Sequence, residues 1–556
     1  MKTIIVIGNG LAGTSAAIKA AESGIKVIQI APLQSERAQS VMAMGGINAA
    51  LDTKGQDDSV EQHFEDTMKS GCHINNEEAV RALTQRAPEI VRWLGSIGVN
   101  FTHDSKGNID LRYFGGQKKM RTAYAGARTG RQIMSALIMK ARKYESEGMI
   151  EKHIGWKLLS LVTDKSDRCV GVVVINSNTD EIRAYSADAV VLATGGPNSL
   201  FGKTSGSVMN DGGASGIAFC KGVEFANLEM IQYHPTTIAT PGKRMLITEA
   251  ARGEGGKLYT IKDGRKWYFM DEWYPGVGAL MPRDVVSRSI YKVCNEMHLG
   301  IDGKNYVYLD ITGIDKKRVM TALDEVVDTC HKYINLDPCT TPIPVYPGIH
   351  YFMGGIRTDA SHHTNIKGLY AAGECSCQYH GANRLGGNST LGAINGGLTA
   401  AEDIINNISE LDPKMRDEVC DAEKLAFVEK YAKWKNLLVD NNGKIADCAE
   451  KLAIVMNKGM SIYRDEKSLN ETLEEIEKIE KPETVKYPDE SFYLSEIMPL
   501  TTKLAEGMVR SALERKESRG AHKRIDYPST DDKNFRKESV AKCSVGSDIT
   551  ISFQTP

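Results

Sequence analysis

Thr3-Ile4-Ile5-Val6-Ile7-Gly8-Asn9-Gly10-Leu11-Ala12-Gly13 opens the chain. A short β-branched apolar run of this kind fits a parallel strand buried on both faces. Gly8, Gly10 and Gly13 follow it as G-x-G-x-x-G. Small residues from Thr14 to Ser23 permit a closely packed helix, Gly24 ends it, and Lys26 to Ile30 supplies a second strand. Strand, glycine turn, helix and strand together make the dinucleotide unit, in which the glycines allow a tight turn and a close backbone approach to pyrophosphate. The glycine motif alone is weak evidence; its place between a strand and a helix gives it weight. One feature departs from the pattern. The acidic residue that usually follows the second strand and holds the ribose is replaced by Gln29-Ile30-Ala31.

At 556 residues the chain exceeds what one hydrophobic core supports, so several domains are expected. It is 41% hydrophobic and 25% charged, ordinary values for a soluble globular protein. Its 69 basic and 71 acidic residues leave a net charge of −2, which gives no bulk pull toward nucleic acid or membrane. The 11 cysteines are odd in number and dispersed, which argues for reduced thiols in a reducing compartment. Cys375 and Cys377 form a C-x-C pair with no second pair to complete a metal site, and read as small buried side chains. The amino terminus runs directly into a strand, so no signal peptide is expected. No apolar run approaches the ~20 residues of a membrane span. A cytoplasmic protein is expected, with any membrane contact made through partner subunits.

Further along, Arg37-Ala-Gln39-Ser-Val-Met-Ala-Met-Gly45-Gly46 could lay its backbone flat against a planar ring, and could equally be a tight turn. Asp58 to Gly98 reads as helical, and Thr129-Gly130-Arg131 opens a helix through Lys143. Strand patterns from Ile150 to Ala187 suggest a small antiparallel sheet. Ala189 to Leu192 is a buried strand ending in Ala193-Thr194-Gly195-Gly196, and Asn210-Asp211-Gly212-Gly213 leads into a small-residue helix. Leu369 to Ala372 reads as another strand, broken by Gly373-Glu374. A loop carrying His380, Asn383 and Arg384 follows. A helix then starts with Asn388 or Ser389 as its N-cap. That strand, loop and helix form an anion site or, taken alone, an ordinary connection with a surface arginine.

Composition divides the chain. Residues 1–231 and 345–410 read as two parts of one dinucleotide domain. Residues 232–344, richer in charge and aromatics, read as an inserted domain, 411–520 as a helical domain and 521–556 as a tail. Glu471 to Lys481 is a charge run whose apolar residues, Leu473, Ile476 and Ile479, form a thin stripe. Leu500 to Arg515 reads as an amphipathic helix. The tail is polar with little periodicity and is expected along the surface or against a partner.

The inserted segment carries His234-Pro235, Glu249 with Arg252, and Arg283-Asp284, and the returning segment adds His350 and Arg384. Two histidines and two arginines suit a dicarboxylate, because a guanidinium pairs bidentately with a carboxylate and a histidine adds a hydrogen bond. An arginine can also deliver a proton, and a Glu–Arg relay could replenish it. Each feature has a plainer reading. His234-Pro235 suits a capped turn, Glu249 and Arg252 a helical ion pair, and Arg283-Asp284 a surface pair.

Taken in order, GNGLAG, MGGINAA, ATGG, QYHPT, TEAARGEGG, PRDVVSR, HYFMGG, GLYAAGE, HGANRLGGNS and RKESRGAHKR resemble the flavoprotein subunit of the succinate dehydrogenase/fumarate reductase family from Met1 to about Phe535. L-aspartate oxidase is a near relative of that family. The resemblance implies an α/β fold: a Rossmann-like FAD-binding domain, an inserted α+β capping domain and a C-terminal helical domain. It implies FAD contacts at Gly8, Gly10, Gly13, Gly45, Gly46, Ala193, Asp211, Glu374, Arg384, Ser389 and Leu391. It places a fumarate or succinate substrate near Phe114, His234, Thr248, Glu249, His350 and Arg384. It makes Arg283 the proton donor, fed through Arg252 and Glu249, with His380 and Arg384 on the substrate side of their loop. Membrane-bound members tether FAD through a histidine where this chain has Gln39. Noncovalent FAD and a lean toward fumarate reduction are therefore expected, with L-aspartate oxidase, which also lacks that histidine, as the alternative. A third reading is an electron-relay or assembly subunit with a degenerate site. The chain carries no iron–sulfur cysteine pattern, so the resemblance implies an iron–sulfur partner subunit.

Overall fold

Five parallel strands form the central sheet, in the order Leu369–Ala371, Ala189–Leu192, Thr3–Ile7, Lys26–Ala31, Ile150–Ile154. The computed structural model describes residues 2–126, 128–439, 441, 444–479, 486, 490–543 and 548–556. Ile4, Ile5 and Val6 are fully buried, as a strand covered on both faces requires. The helix Leu11–Glu22 crosses from the first strand to the second and packs against the long helix Asn388–Asn407. Strand order reverses between Thr3–Ile7 and Ala189–Leu192. In an open α/β sheet a crevice opens at the carboxyl ends of strands that flank such a reversal. Gly8 sits at this point with φ +115°, and a Cβ there would lie 2.2 Å from the Ala193 carbonyl oxygen. Only glycine lets the two strand ends close up this far.

The antiparallel sheet expected between Ile150 and Ala187 consists of Trp156–Thr163, Cys169–Asn176 and Ile182–Ser186. Its first strand starts beside the second strand of the parallel sheet, where the Gly155 N–H donates to the Ala31 carbonyl oxygen at 3.0 Å. A six-stranded sheet lies over the crevice. At its centre Ile231–Ala239 pairs antiparallel with Ile343–Phe352, so the segment between them leaves and returns side by side. The helix Arg283–Tyr291 packs on this pair.

Three expectations for the carboxyl-terminal part are corrected. The helix read as starting at Leu500 starts at Phe492 and runs to Glu514, with Pro499 inside it. The stripe in the charge run is core-facing: Ile476 and Ile479 are buried and Leu473 packs against the same cluster. Glu480 and Lys481 of that run lie outside the described residues. The tail is built into the fold rather than laid on its surface. Glu538–Lys542 and Thr550–Gln554 complete a four-stranded sheet with Phe225–Ala226 and Gly355–Ile356. Among the described residues, no helix is long and apolar enough to cross a membrane.

Arg515 holds the tail by donating to the Phe535 and Lys537 carbonyl oxygens, both at 2.9 Å, and is itself fixed by ion pairs with no exposure to water. Arg515 donates from Nε to Glu229 Oε1 at 2.5 Å and from Nη1 to Glu517 Oε1 at 3.0 Å, and all three side chains are fully buried. Removing one partner of such a group leaves a buried charge uncompensated, at a cost of about 3–5 kcal/mol. Arg515→Ala is therefore expected to lower unfolding stability by about that amount. Urea denaturation of full-length protein checks this, and a loss below about 1 kcal/mol would contradict it.

Candidate active site

One cavity of ≈ 310 Å³ runs from the Gly8–Gly10 turn, past Ala193 and the Gly45–Gly46 loop, to a cluster of histidines and arginines under the six-stranded sheet. Several helix amino termini open on it, two of them from long helices of the dinucleotide fold. The helix after Gly10 and the helix after Gly387 both lack a side-chain cap and an acidic residue in the first turn. Their free N–H groups and dipoles offer positive ends to an anionic or electron-rich ligand. Gly387 is itself the N-cap of the second helix, one residue earlier than expected. Asn388 cannot cap because its side chain is committed to Asn48 at 2.7 Å, His63 at 3.0 Å and Thr67 at 2.9 Å.

Gly46 has φ +138°, and a Cβ there would lie 2.5 Å from the Ala123 carbonyl oxygen. The chain can therefore cross here only as glycine, leaving a flat wall. Buried Arg112 fastens this loop by donating to the Met44 carbonyl oxygen at 3.1 Å and to that of Gly45. A long trough with two uncapped helix ends and a flat glycine wall fits an extended dinucleotide carrying a planar ring. Of the residues expected at a flavin dinucleotide, Gly8, Gly10, Gly45, Gly46, Ala193, Asp211, Glu374, Arg384 and Ser389 line the cavity. Gly13 and Leu391 do not. Gly13 packs against Gly8 beneath the turn, and Leu391 is fully buried in the core.

Phe114, His234, Thr248, Glu249, Arg283, His350 and Arg384 all line the other end. Sequence distance hides why they meet. His234 and His350 stand on the paired central strands of the upper sheet, with ring centroids 5.2 Å apart at 69°. Arg283 is the first residue of its helix, set by Pro282 as N-cap. Glu249 precedes a single turn, Ala250–Gly253, that places Arg252 on the same side three residues later. Glu249 Oε2 accepts from Arg283 Nε at 2.8 Å, and Oε1 accepts from the Gly115 N–H at 2.7 Å. Arg252 Nη2 lies 3.6 Å from Oε1. Arg252 is fully buried behind Glu249 and away from the cavity wall. His380 does not line the cavity either; it packs against the back of Tyr351, 5.3 Å between ring centres.

Gln232, which its sequence motif leaves without a role, joins Arg283 and Arg384, the two arginines at this end of the cavity. Its Oε1 accepts from Arg283 Nη1 at 3.0 Å and from Arg384 Nη2 at 2.9 Å. Its Nε2 donates to Asn383 Oδ1 at 2.9 Å and to the Arg384 carbonyl oxygen at 3.0 Å. Tyr351, also unassigned from sequence, lies under the Arg384 guanidinium at 4.2 Å. Glutamine and tyrosine carry no motif signal of their own; their roles exist only once the loops are folded together.

Burial sets the protonation states. It pushes the imidazoles of His234 and His350 well below their ordinary value, and the Arg283 charge pushes the same way, so both are neutral at pH 7. The Thr236 N–H donates to His234 Nδ1 at 3.3 Å, so the His234 proton sits on Nε2. Burial raises the Glu249 carboxyl, but Arg283, Arg252 and the Gly115 N–H outweigh it and hold the group below its usual range. Arg384 is lowered to about 9 by burial and by Arg283. Three guanidiniums against one carboxylate make this end of the cavity a site for an anion. Among the described residues, no cluster of histidine, cysteine and acidic side chains is arranged to hold a metal ion.

Comparison with known proteins agrees with this geometry. A family model for the FAD binding domain matches residues 3–390, and one for the fumarate reductase flavoprotein C-terminus matches 449–555. The second match continues beyond Phe535, where the sequence resemblance was taken to end, and takes in both tail strands. The chain is 39% identical over 551 residues to the succinate dehydrogenase flavoprotein subunit of Bacillus subtilis, covering 97% of this chain and 94% of that one. It is 32% identical to the fumarate reductase flavoprotein subunit of Haemophilus influenzae, covering 97% and 91%. An E. coli quinol fumarate reductase chain superposes with a TM-score of 0.90 at 29% identity, covering 100% of this chain and 97% of that one. Adenylylsulfate reductase of Archaeoglobus fulgidus, at 18% identity and TM-score 0.75, shares the fold. The chain belongs to the flavoprotein subunits of the succinate dehydrogenase/fumarate reductase family, FAD-dependent oxidoreductases acting on CH–CH bonds.

Glu374 gives a test of the cavity's electrostatics. Burial raises its carboxyl to about 7, against partial lowering by the Phe352 N–H and Arg384. A carboxyl raised on folding stabilises the fold fully below its unfolded pKa, near 4.5, and loses that contribution as pH rises through 7. The buried histidines act in the opposite sense, because their depressed pKa favours the fold above their unfolded value. In Glu374→Gln the carboxyl contribution disappears, so stability at pH 7.5 relative to pH 4.5 is expected to rise compared with the parent. Urea midpoints at the two pH values check it; equal differences in parent and variant would contradict it.

Proposed function

We propose that this chain reduces fumarate to succinate and holds FAD noncovalently. Membership of the family supports exchange between these dicarboxylates, and the residues at the cavity wall support the direction and the roles. Bound FAD supplies the hydride at one alkene carbon. Every other part of the reaction falls to the protein. Arg384, the neutral Nε2–H of His234 and the ring of His350 offer donors to the two carboxylates, with Thr248 beside them. The guanidinium of Arg283 faces the same space and gives its proton to the second alkene carbon, where carbanion character develops. It is refilled from Arg252 across Glu249, which stands between the two at 2.8 and 3.6 Å. Such donors act most strongly where water is excluded, and His234, Glu249 and Arg384 are each buried.

The observation that carries this reading is Arg283 held by a buried carboxylate at the wall shared with His234, His350 and Arg384. In reverse, the same groups would accept the proton from succinate. The lean toward reduction rests on Gln39, which stands where membrane-bound relatives tether the flavin. Its Nε2 donates to the Ser205 carbonyl oxygen at 3.3 Å. An amide cannot form the linkage that an imidazole can. Electrons would come from an iron–sulfur partner subunit, through which any membrane contact would also be made. L-aspartate oxidase activity is the alternative for the same cavity, and peroxide formation from L-aspartate would show it.

Arg283→Ala is expected to lower kcat for fumarate reduction by roughly 10²–10⁴-fold while flavin content stays at the parental level. A dye-coupled assay checks this, and unchanged turnover would remove Arg283 as the acid. For the cofactor, acid precipitation is expected to release the flavin into the supernatant. Flavin retained in the protein pellet would overturn noncovalent binding.

A further inference from the structure

The helix Phe492–Glu514 belongs to the carboxyl-terminal part of the chain, yet its second residue, Tyr493, lines the cofactor cavity. Its phenol donates to Asp211 Oδ2 at 3.1 Å. Lys157 donates to the same oxygen at 3.0 Å, and its ammonium sits 4.3 Å above the Tyr493 ring. The Gly213 N–H donates to Asp211 Oδ1 at 2.9 Å. One carboxylate is thus held by three segments far apart in sequence. The fit is close: a Cβ on Gly213 would lie 2.5 Å from the Tyr493 hydroxyl. Tyr493 is buried, and its helix shares one core cluster with the Gly213–Cys220 helix through Ile497 and Ile217. Burial and the Asp211 charge both raise the phenol, so it stays protonated and remains a donor.

The position of this triad identifies the part of the ligand it meets. In a dinucleotide unit the nucleoside lies beyond the carboxyl end of the second strand. That strand ends at Ala31, and the Gly155 N–H bonded to its carbonyl oxygen sets Trp156 and Lys157 directly beside it. Ile30, Pro32 and Lys157 line the cavity together. The acidic residue missing after the second strand therefore has a substitute nearby in space, Asp211, oriented by Lys157 and Tyr493.

We propose that Tyr493 is a cofactor-binding residue which, through Asp211 and Lys157, closes the adenosine end of the cavity, so that FAD binding and docking of the carboxyl-terminal helix are one linked equilibrium. Linkage is reciprocal: if the docked helix improves cofactor affinity, the cofactor stabilises the docked helix by the same factor. The proposal rests on FAD occupying this cavity and is independent of whether the flavin is tethered, because ADP carries the adenosine half alone.

The test uses full-length protein freed of flavin, or produced under riboflavin limitation, as parent, Tyr493→Phe and Tyr493→Ala. Calorimetric titration with ADP and with FAD is expected to show both ligands weakened about tenfold by Tyr493→Phe, the size of one lost hydrogen bond to a charged group, and further by Tyr493→Ala. ADP is expected to slow amide exchange in residues 492–502 of the parent and to do so less in Tyr493→Phe. The conservative variant keeps the ring and its packing, so it reads the hydroxyl even where Tyr493→Ala fails to fold. Affinities for both ligands within twofold of the parent in Tyr493→Phe would overturn the proposal. So would weakened FAD with unchanged ADP, or amide exchange in 492–502 that does not respond to ADP.

Discussion

A single buried carboxylate, Glu249, decides how the reactive end of this molecule is assembled. Taking an ion out of water costs several kcal/mol, repaid only when good partners surround it. Here the partners are the Arg283 guanidinium on one oxygen and, on the other, the Gly115 N–H with Arg252 behind it. They come from three places: the inserted segment's helix, its short turn, and a loop of the dinucleotide domain. Gly115 is the contact that crosses between the parts, and it leaves no room for a side chain, since a Cβ would meet Glu249 Oε1 at 2.7 Å. The carboxylate therefore does two things at once. It holds the Arg283 guanidinium at the cavity wall, and it ties the overlying segment to the cofactor domain beneath it.

Charge balance explains the rest of the cluster. Arg283 and Arg384 face one space, and after burial the Arg283 charge is part of why Arg384 is lowered to about 9. Gln232 separates their demands by offering one amide oxygen to both. An acid in its place would neutralise the site and weaken it for an anion; an apolar residue would leave two buried donors unpaired. An amide is the side chain that holds both arginines while keeping their charge available to an anion. The neutral histidines follow from the same economy, because a further positive charge beside two guanidiniums in a dry site is unfavourable.

Much of this was legible in the sequence, for identifiable reasons. The Thr3–Gly13 stretch is a local pattern, and the sheet built from it depends on short-range strand and helix signals. His234, Glu249, Arg283, His350 and Arg384 stand in dense motifs, and the fold brings all five to one wall. Gln232, Tyr351 and Tyr493 carry no charge at neutral pH that singles them out, and each acts through partners that only folding sets beside it: Gln232 through Arg283 and Arg384, Tyr351 through Arg384, and Tyr493 through Asp211. The tail strands were hidden for another reason. Glu538 and Ser539 are buried polar residues satisfied by Arg357 and Glu229, so the apolar alternation that announces a strand is missing. The long helix begins at Asn388, one of the two starts its sequence offers, but Asn388 does not cap it, because its amide is spent on side chains reached only in three dimensions.

Gln39 lies in the same cavity as the arginine and histidine cluster. A flavin without a covalent tether depends on the sum of many weak contacts, and their combined strength depends on how rigidly each is held. In this chain the groups proposed to hold it lie in segments that packing must unite: the Gly8–Gly10 turn, the Gly45–Gly46 loop fastened by Arg112, the helix after Gly387 and the Asp211 carboxylate. Gln39 itself is bound to the backbone of Ser205, whose hydroxyl lies 2.8 Å from His350 Nδ1. Gln39 is thus wired, through Ser205, to the cavity wall that carries His350. Under the proposed function, cofactor retention and substrate geometry would share these supports, and a change that loosens one should be felt at the other.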